Sequence, residues 1–185
     1  MPRPLLQILL AISVGLASMY FWDPNPAESP DADTSARQSK LPKTYLRKTS
    51  SWTYNEQGNL TDVLEADTVD HFPQHNESLI SMPRFYSHSG DDRTWSATAN
   101  NGIYQPRQQK LKLHDEVVLA HDQTGARLDT QAMDINIRRK TAQSKVDVLL
   151  SQGENQTRAD GMLARLDQET LTLAPNVESI YAPRR

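Results

Sequence analysis

Apolar residues fall into two regimes along this chain. Residues 5–22, LLQILLAISVGLASMYFW, carry no charge and only Gln7, Ser13 and Ser18 as polar interruptions, and the run is about as long as a helix needs to be to cross a bilayer core. Beyond Tyr45 the pattern changes to short runs of alternating apolar and polar residues, the period of half-buried strands. Trp95, Ala97, Ala99, Asn101 and Ile103 share one parity; so do Leu111, Leu113, Val117 and Leu119, and again Val146, Val148 and Leu150. Turn chemistry separates the runs at 55–58 (NEQG), 89–92 (SGDD), 122–125 (DQTG) and 152–155 (QGEN). Helix periodicity is almost absent there, so the pattern predicts an all-β domain behind one apolar N-terminal segment.

The apolar segment has two readings. Arg3 and the α-amino group precede it and Tyr20, Phe21 and Trp22 close it, the arrangement of a single-pass transmembrane helix with its N-terminus in the cytoplasm. Alternatively, Gly15 and Ala17 are the small residues before a signal-peptide cut; the bulky continuation through Met19 to Trp22 favours the anchor. Either one exports the remainder. Residues 23–44 are rich in Pro, Ser, Ala and Asp and poor in large apolar groups, too little to bury against the entropy of ordering, and they predict an extended tether. The expected organisation is therefore an anchor over 1–22, a linker over 23–44 and a folded domain over 45–185.

Within that domain the chain repeats itself. LEADTVDHF, SATANNGIY, LDTQAMDINI and TRADGMLARL each set a small residue, Ala66, Ala99, Ala132 or Gly161, after an alternating lead-in, and each is followed past a polar turn by a second strand. The small residues lie 33, 33 and then 29 positions apart. Units of that length predict a repeat-built antiparallel β-jellyroll, two curled sheets facing each other, with small residues where the backbone bends. The inward set comprises Leu60, Leu64, Ala66, Trp95, Ala97, Ala99, Ile103, Leu111, Leu113, Val117, Leu119, Leu128, Ala132, Ile135, Ile137, Val146, Val148 and Leu150. Such a stack has a free strand at each end, where unpaired N–H and C=O groups invite strand addition. Trp52 and Tyr54 lie on the first strand; Leu171, Leu173, Val177 and Ile180 lie on the last, read as 170–181, where Pro175 limits pairing.

Composition narrows the chemistry. The chain has 185 residues, a formal net charge of −3 and a pI of about 5.9, so it lacks the basic footprint of a nucleic-acid binder. It has no cysteine, which excludes disulfides, zinc-thiolate sites and thiol nucleophiles. His71 and His75 stand in an H-x3-H spacing, but Pro73 between them works against the helix that would align the two rings. Asp91 with Asp92, and Asp129 with Asp134, read as hairpin-tip charges rather than an acid–base pair. No cofactor, metal or catalytic residue is expected. The Arg138, Arg139, Lys140 cluster reads as a solvated hairpin cap or as a site of attraction for phosphates. Aromatic residues are 6% of the chain, so the interior is built mainly of small and medium aliphatics, which suits acyl chains as well as it suits a dry core.

Pro42 and Tyr45, the W.YNEQGNL...LEA of 52–66, the TWSATANNGIY of 94–104, the L.LHDEVVL of 111–119 and the S.VDVLL of 144–150, taken in order, resemble the LptC family. The TWSATANNGIY block with the strand that follows it is shared with the wider β-jellyroll group that includes LptA; anchor and tether separate LptC from LptA. Near 153–161 the glycine-rich strand start of the family is reduced. The resemblance implies a non-enzymatic, single-pass inner-membrane component of lipopolysaccharide export with a periplasmic domain. It implies acyl chains held between the sheets while the sugars stay in water. It also implies an ABC transporter of LptB, LptF and LptG as the source of lipid and energy, with the N-terminal edge against LptF and the C-terminal edge against LptA. The residues alone leave two other readings open: an anchored β-scaffold that recruits partners through its edges without carrying lipid, and, last, an exported hydrolase.

Overall fold

The computed structural model describes residues 44–89 and 92–181; the expected anchor and the linker up to residue 43 lie outside them. Among the described residues no helix is long and apolar enough to cross a membrane. Among the described residues, fourteen strands form one continuous antiparallel sheet. β1 (Thr44–Tyr54) pairs along its length with β2 (Leu60–Phe72). β2 then divides its other edge between β3 (Glu77–Ser81) and β4 (Arg84–Ser89). β5 (Asp92–Thr98) pairs with β4 and β6 (Asn101–Gln105) with β3, and both meet β7 (Lys110–His121), β6 on its first half and β5 on its second. β8 (Ala126–Asn136) follows β7 and divides between β9 (Thr141–Ser144) and β10 (Val148–Gln152). β11 (Asn155–Ala159) and β12 (Met162–Arg165) continue the two arms, which end in β14 (Glu178–Ile180) and β13 (Thr170–Leu173) respectively.

This pairing has a simple form. Each long strand, and each consecutive pair of short ones, is one rung folded at a corner, and the rungs stack in chain order. One set of arms makes one wall, the other set the second wall, and both enclose a single cluster of buried aliphatics that includes Leu111, Leu113, Leu119, Leu128, Met133 and Ile135. Hydrogen bonds carry the ladder through the corner: Met82 N–H donates to Asn100 O at 2.8 Å, Asn100 N–H to Asp115 O at 2.9 Å and Asp160 N–H to Pro175 O at 3.1 Å. Folding a strand over takes residues out of the extended region, and Lys48, Met82, Asp115, Glu116 and Asn176 have positive φ at the corner. Asp115 is held there by its side chain, which accepts from Asn101 Nδ2 at 2.9 Å and meets His114 Nδ1 at 2.8 Å. Those two hydrogen bonds lower its carboxyl below the ordinary value.

The repeated small residues mark this corner. Ala66 is buried in β2 where its partner changes from β4 to β3, Ala99 between β5 and β6, and Gly161 between β11 and β12. A Cβ at Gly161 would sit 3.0 Å from Ser144 O and 3.1 Å from Ala174 O, both backbone atoms of the neighbouring rungs. Gly161→Ala therefore forces two rungs apart and is expected to lower stability by about 1–3 kcal/mol, the range for overpacked sites. The denaturant midpoint measures it, and an unchanged midpoint would show that the corner is not close-packed.

The corner also corrects three inward assignments. Turning it takes an odd number of residues in several rungs, so the buried parity shifts: Ala99 to Gly102, Thr130 to Met133, Ala159 to Met162. Ile103 consequently pairs with Leu79 and Lys112 on the outer face, and Gly102 points inward in its place, opposite Leu113. Ala132 lies opposite half-buried His114, with Met133 taking the inward position. Val146 belongs to the corner segment between β9 and β10 and is 41% exposed. The strand read over 170–181 is two strands, β13 and β14, ending different walls.

Candidate functional site

The interior is hollow near its N-terminal end. A cavity of about 320 Å³ is bounded by β1, β2, β3, β4, β6 and the turn after β8, with Leu46, Leu64, Ala66, Val69, Ile80, Phe85, Tyr104 and Ile137 as its apolar lining and Thr49, Ser50, Ser51, Thr53, Asp62 and Ser78 as its polar one. β1 is the outermost rung, and its residues are mostly exposed. The hollow therefore lies just behind an edge of the sheet formed by the described residues. Burial raises the Tyr104 phenol above its ordinary pKa. A second, larger depression of about 950 Å³ involves the corner and is lined by Arg127, Asp129, Arg158 and Glu178 among others; its charges do not suit an acyl chain.

Of the predicted inward residues, Leu64, Ala66 and Ile137 line the cavity. Trp95, Ala97, Ala99, Leu111, Leu113, Val117, Leu119, Leu128, Ile135 and Val148 are buried in the packed cluster that continues it, and Leu150 packs against that cluster. Leu60 is half-buried at the outer end of β2. Leu46, Val69, Ile80, Phe85 and Tyr104 were not among the predicted residues. Ile80 and Phe85 alternate correctly within SLISM and RFYSHS, so their short strands carried the signal; Val69 falls on the opposite parity to Ala66 because the corner intervenes.

Where the two walls end, side chains reach across. Lys140, on the turn between β8 and β9, places Nζ 2.6 Å from Asp62 Oδ2 at the start of β2. His121, at the end of β7, lies with Nε2 3.5 Å from Glu169 Oε2 on the turn between β12 and β13, and its ring packs edge-on to Trp95 at 4.6 Å. Arg138 Nε donates to Gln109 Oε1 at 3.0 Å. Of the carboxylates read as hairpin-tip charges, Asp129 and Asp134 lie within β8 and are ion-paired, Asp129 with Arg127 at 2.6 Å and Asp134 with Lys110 at 2.7 Å, Asp92 begins β5, and Asp91 lies outside the described residues. His71 Nδ1 is hydrogen-bonded with Ser78 Oγ at 3.0 Å, and His75 is exposed on the turn that follows. Among the described residues no cluster of His, Asp or Glu is placed to hold a metal ion.

Among the described residues, the outer strands carry exposed apolar side chains. Trp52 and Tyr54 of β1 are 57% and 59% exposed, and Val177, Ile180 and Tyr181 at the other end are 51%, 72% and 74% exposed. Leu171 and Leu173 of β13 pack partly against the core.

An aliphatic interior between two walls of bent rungs defines an antiparallel all-β fold. The fold is similar to the crystal structure of LptH, the LptA-homologous periplasmic component of the lipopolysaccharide transport device of Pseudomonas aeruginosa, with a TM-score of 0.52 at 7% identity over 66% of this chain and 95% of that one. At that identity the likeness speaks for the fold alone. No curated protein matches the chain. The family model for LptC-related lipopolysaccharide assembly matches residues 9–182, and the chain belongs to that family. It is a component of lipopolysaccharide transport and not an enzyme.

Proposed function

We propose that this protein carries lipopolysaccharide between the two walls of its sheet, receiving it at the N-terminal edge and releasing it at the C-terminal edge. The observation that supports this reading is the apolar cavity behind β1, continuous with an interior of small and medium aliphatics. Its volume is at the small end of the range for ligand pockets, enough to receive part of an acyl chain but not a whole glycolipid. The lipid is therefore enclosed a piece at a time, and many weak apolar contacts let it move on. The domain stands in the periplasm, tethered by residues 1–22 to the inner membrane. An LptB–LptF–LptG transporter supplies lipid and energy, the β1 edge docks the jellyroll of LptF, and the β13–β14 edge docks LptA.

The test is site-specific photocrosslinking in Gram-negative cells, with the probe at Leu64 in the cavity lining and, as control, at Lys112 on the outer face. A lipopolysaccharide adduct at Leu64 and none at Lys112 is the expected result. Adducts at neither position, in a folded and exported protein, would favour an anchored scaffold that recruits partners without carrying lipid.

A further inference from the structure

The basic turn after β8 sits at the mouth of the cavity. Ile137 forms part of the apolar lining, and the next three residues, Arg138, Arg139 and Lys140, are all cationic. An apolar hollow and a cluster of cations thus meet within four residues, which is the chemistry of an amphiphile with an anionic head.

The three cations are not equivalent. Arg139 is exposed, and Arg138 is exposed with its guanidinium oriented by Gln109. Lys140 is turned inward: Nζ contacts both oxygens of Asp62 at 2.5 and 2.6 Å and Thr61 O at 3.5 Å. The Asp62 side chain is only 5% exposed, whereas that of Lys140 is 25% exposed. A buried carboxylate left without a cation is costly, and Asp62 is paired with Lys140. The ammonium nevertheless remains open to water on one side, where a competing anion can reach it.

We propose that Lys140 is the phosphate-binding residue of this site, released by Asp62 to a phosphate of the glycolipid when an acyl chain enters the cavity, with Arg138 and Arg139 completing the anion site. This rests on the lipid-carrying reading above. A phosphate monoester brings up to two negative charges and three strong acceptor oxygens against the single charge of a carboxylate, and the guanidinium fork matches its geometry. The exchange leaves Asp62 without its partner beside a second anion, so Asp62 must regain water. The contact between the start of β2 and the β8–β9 turn then opens at the mouth of the cavity, where the sugars stay in water beside the enclosed acyl chain.

Binding to the full-length protein in nanodiscs of phosphatidylcholine tests this, with fluorescent lipopolysaccharide as the probe in its phosphorylated form and after phosphatase treatment. The wild type should bind the phosphorylated form about tenfold more tightly, the effect of one good charge-assisted contact. Lys140→Gln should bring that ratio close to one, Lys140→Arg should retain it, and Asp62→Asn should raise it, because the ammonium is freed. A purely structural ion pair predicts the opposite for Asp62→Asn: weaker binding of both lipids, in parallel with Lys140→Gln. That result would overturn the assignment. Equal binding of the two lipids by the wild type would also overturn it while leaving lipid carriage intact, whereas failure to bind either lipid would remove both. If nanodiscs containing phosphatidylglycerol abolish the preference, the cations serve membrane headgroups instead and the assignment to glycolipid phosphate fails.

Discussion

Leu113→Asp is expected to unfold the domain, while Ile103→Asp on the adjacent strand leaves it folded. Leu113 is 2% exposed and belongs to the central cluster. Truncating such a side chain costs about 2–5 kcal/mol, and leaving a carboxylate there without a cation costs several more. Domains of ordinary stability have about 5–15 kcal/mol in total. Ile103 faces the other way, opposite Lys112 and beside exposed Leu79. An aspartate there loses some half-buried apolar surface and gains an opposite charge across the strand, worth about 0.2–1 kcal/mol, so the net change should stay within about 1 kcal/mol. Denaturant unfolding followed by tryptophan fluorescence, with protease resistance for the variant that fails to fold, separates the two. Equal loss at both positions would mean that Ile103 points inward and that the parity shift at the corner is wrong.

That comparison shows what was legible in the sequence. Within one arm of a rung, alternation of polarity reports the buried face directly, because side chains on a strand alternate strictly; hence Trp95 with Ala97, and Leu111 with Leu113, were readable from spacing. The repeat of Ala66, Ala99, Ala132 and Gly161 was readable as well, and it marks the corner. What a corner does to the phase was not. Asp115 and Glu116 leave the extended region together and keep Leu113 and Val117 on one face, whereas the passage from Ala99 to Gly102 reverses it. Nothing in the composition of either segment distinguishes the two outcomes, because backbone hydrogen bonds to adjacent rungs decide them. The Asp62–Lys140 contact was invisible for a related reason: the residues are far apart in sequence and meet only because the walls fold over each other. The hollow itself depends on Leu46, Val69 and Tyr104, contributed by different strands; Val69 and Tyr104 fall within repeat units but off the parity of their small residues, Ala66 and Ala99, as read for the inward set.

On the proposed docking of LptA at the β13–β14 edge, Ile180→Asp is expected to leave the domain as stable as before and to weaken LptA binding by about 30-fold or more. Ile180 is 72% exposed on β14, a three-residue strand whose one described partner is β11. Removing an exposed side chain from such a position changes stability by about 0.5 kcal/mol at most. The same side chain becomes an anchor when a partner strand lies along the outer side of β14. Val177 and Tyr181 flank it and are likewise exposed, so a docked strand would bury all three. Loss of a central apolar anchor typically costs 2 kcal/mol or more of binding free energy, which sets the expected factor. An acidic side chain adds the cost of desolvating a charge. Because the backbone ladder of β14 is untouched, strand addition remains geometrically available, and the loss reads the side-chain contribution alone. Binding of LptA to the full-length protein, measured beside its thermal midpoint, tests both halves. A normal midpoint with normal binding would move the proposed docking surface away from β14, leaving the outer edge of β13, where Leu171 and Leu173 already pack partly against the core, as the candidate place for LptA to dock.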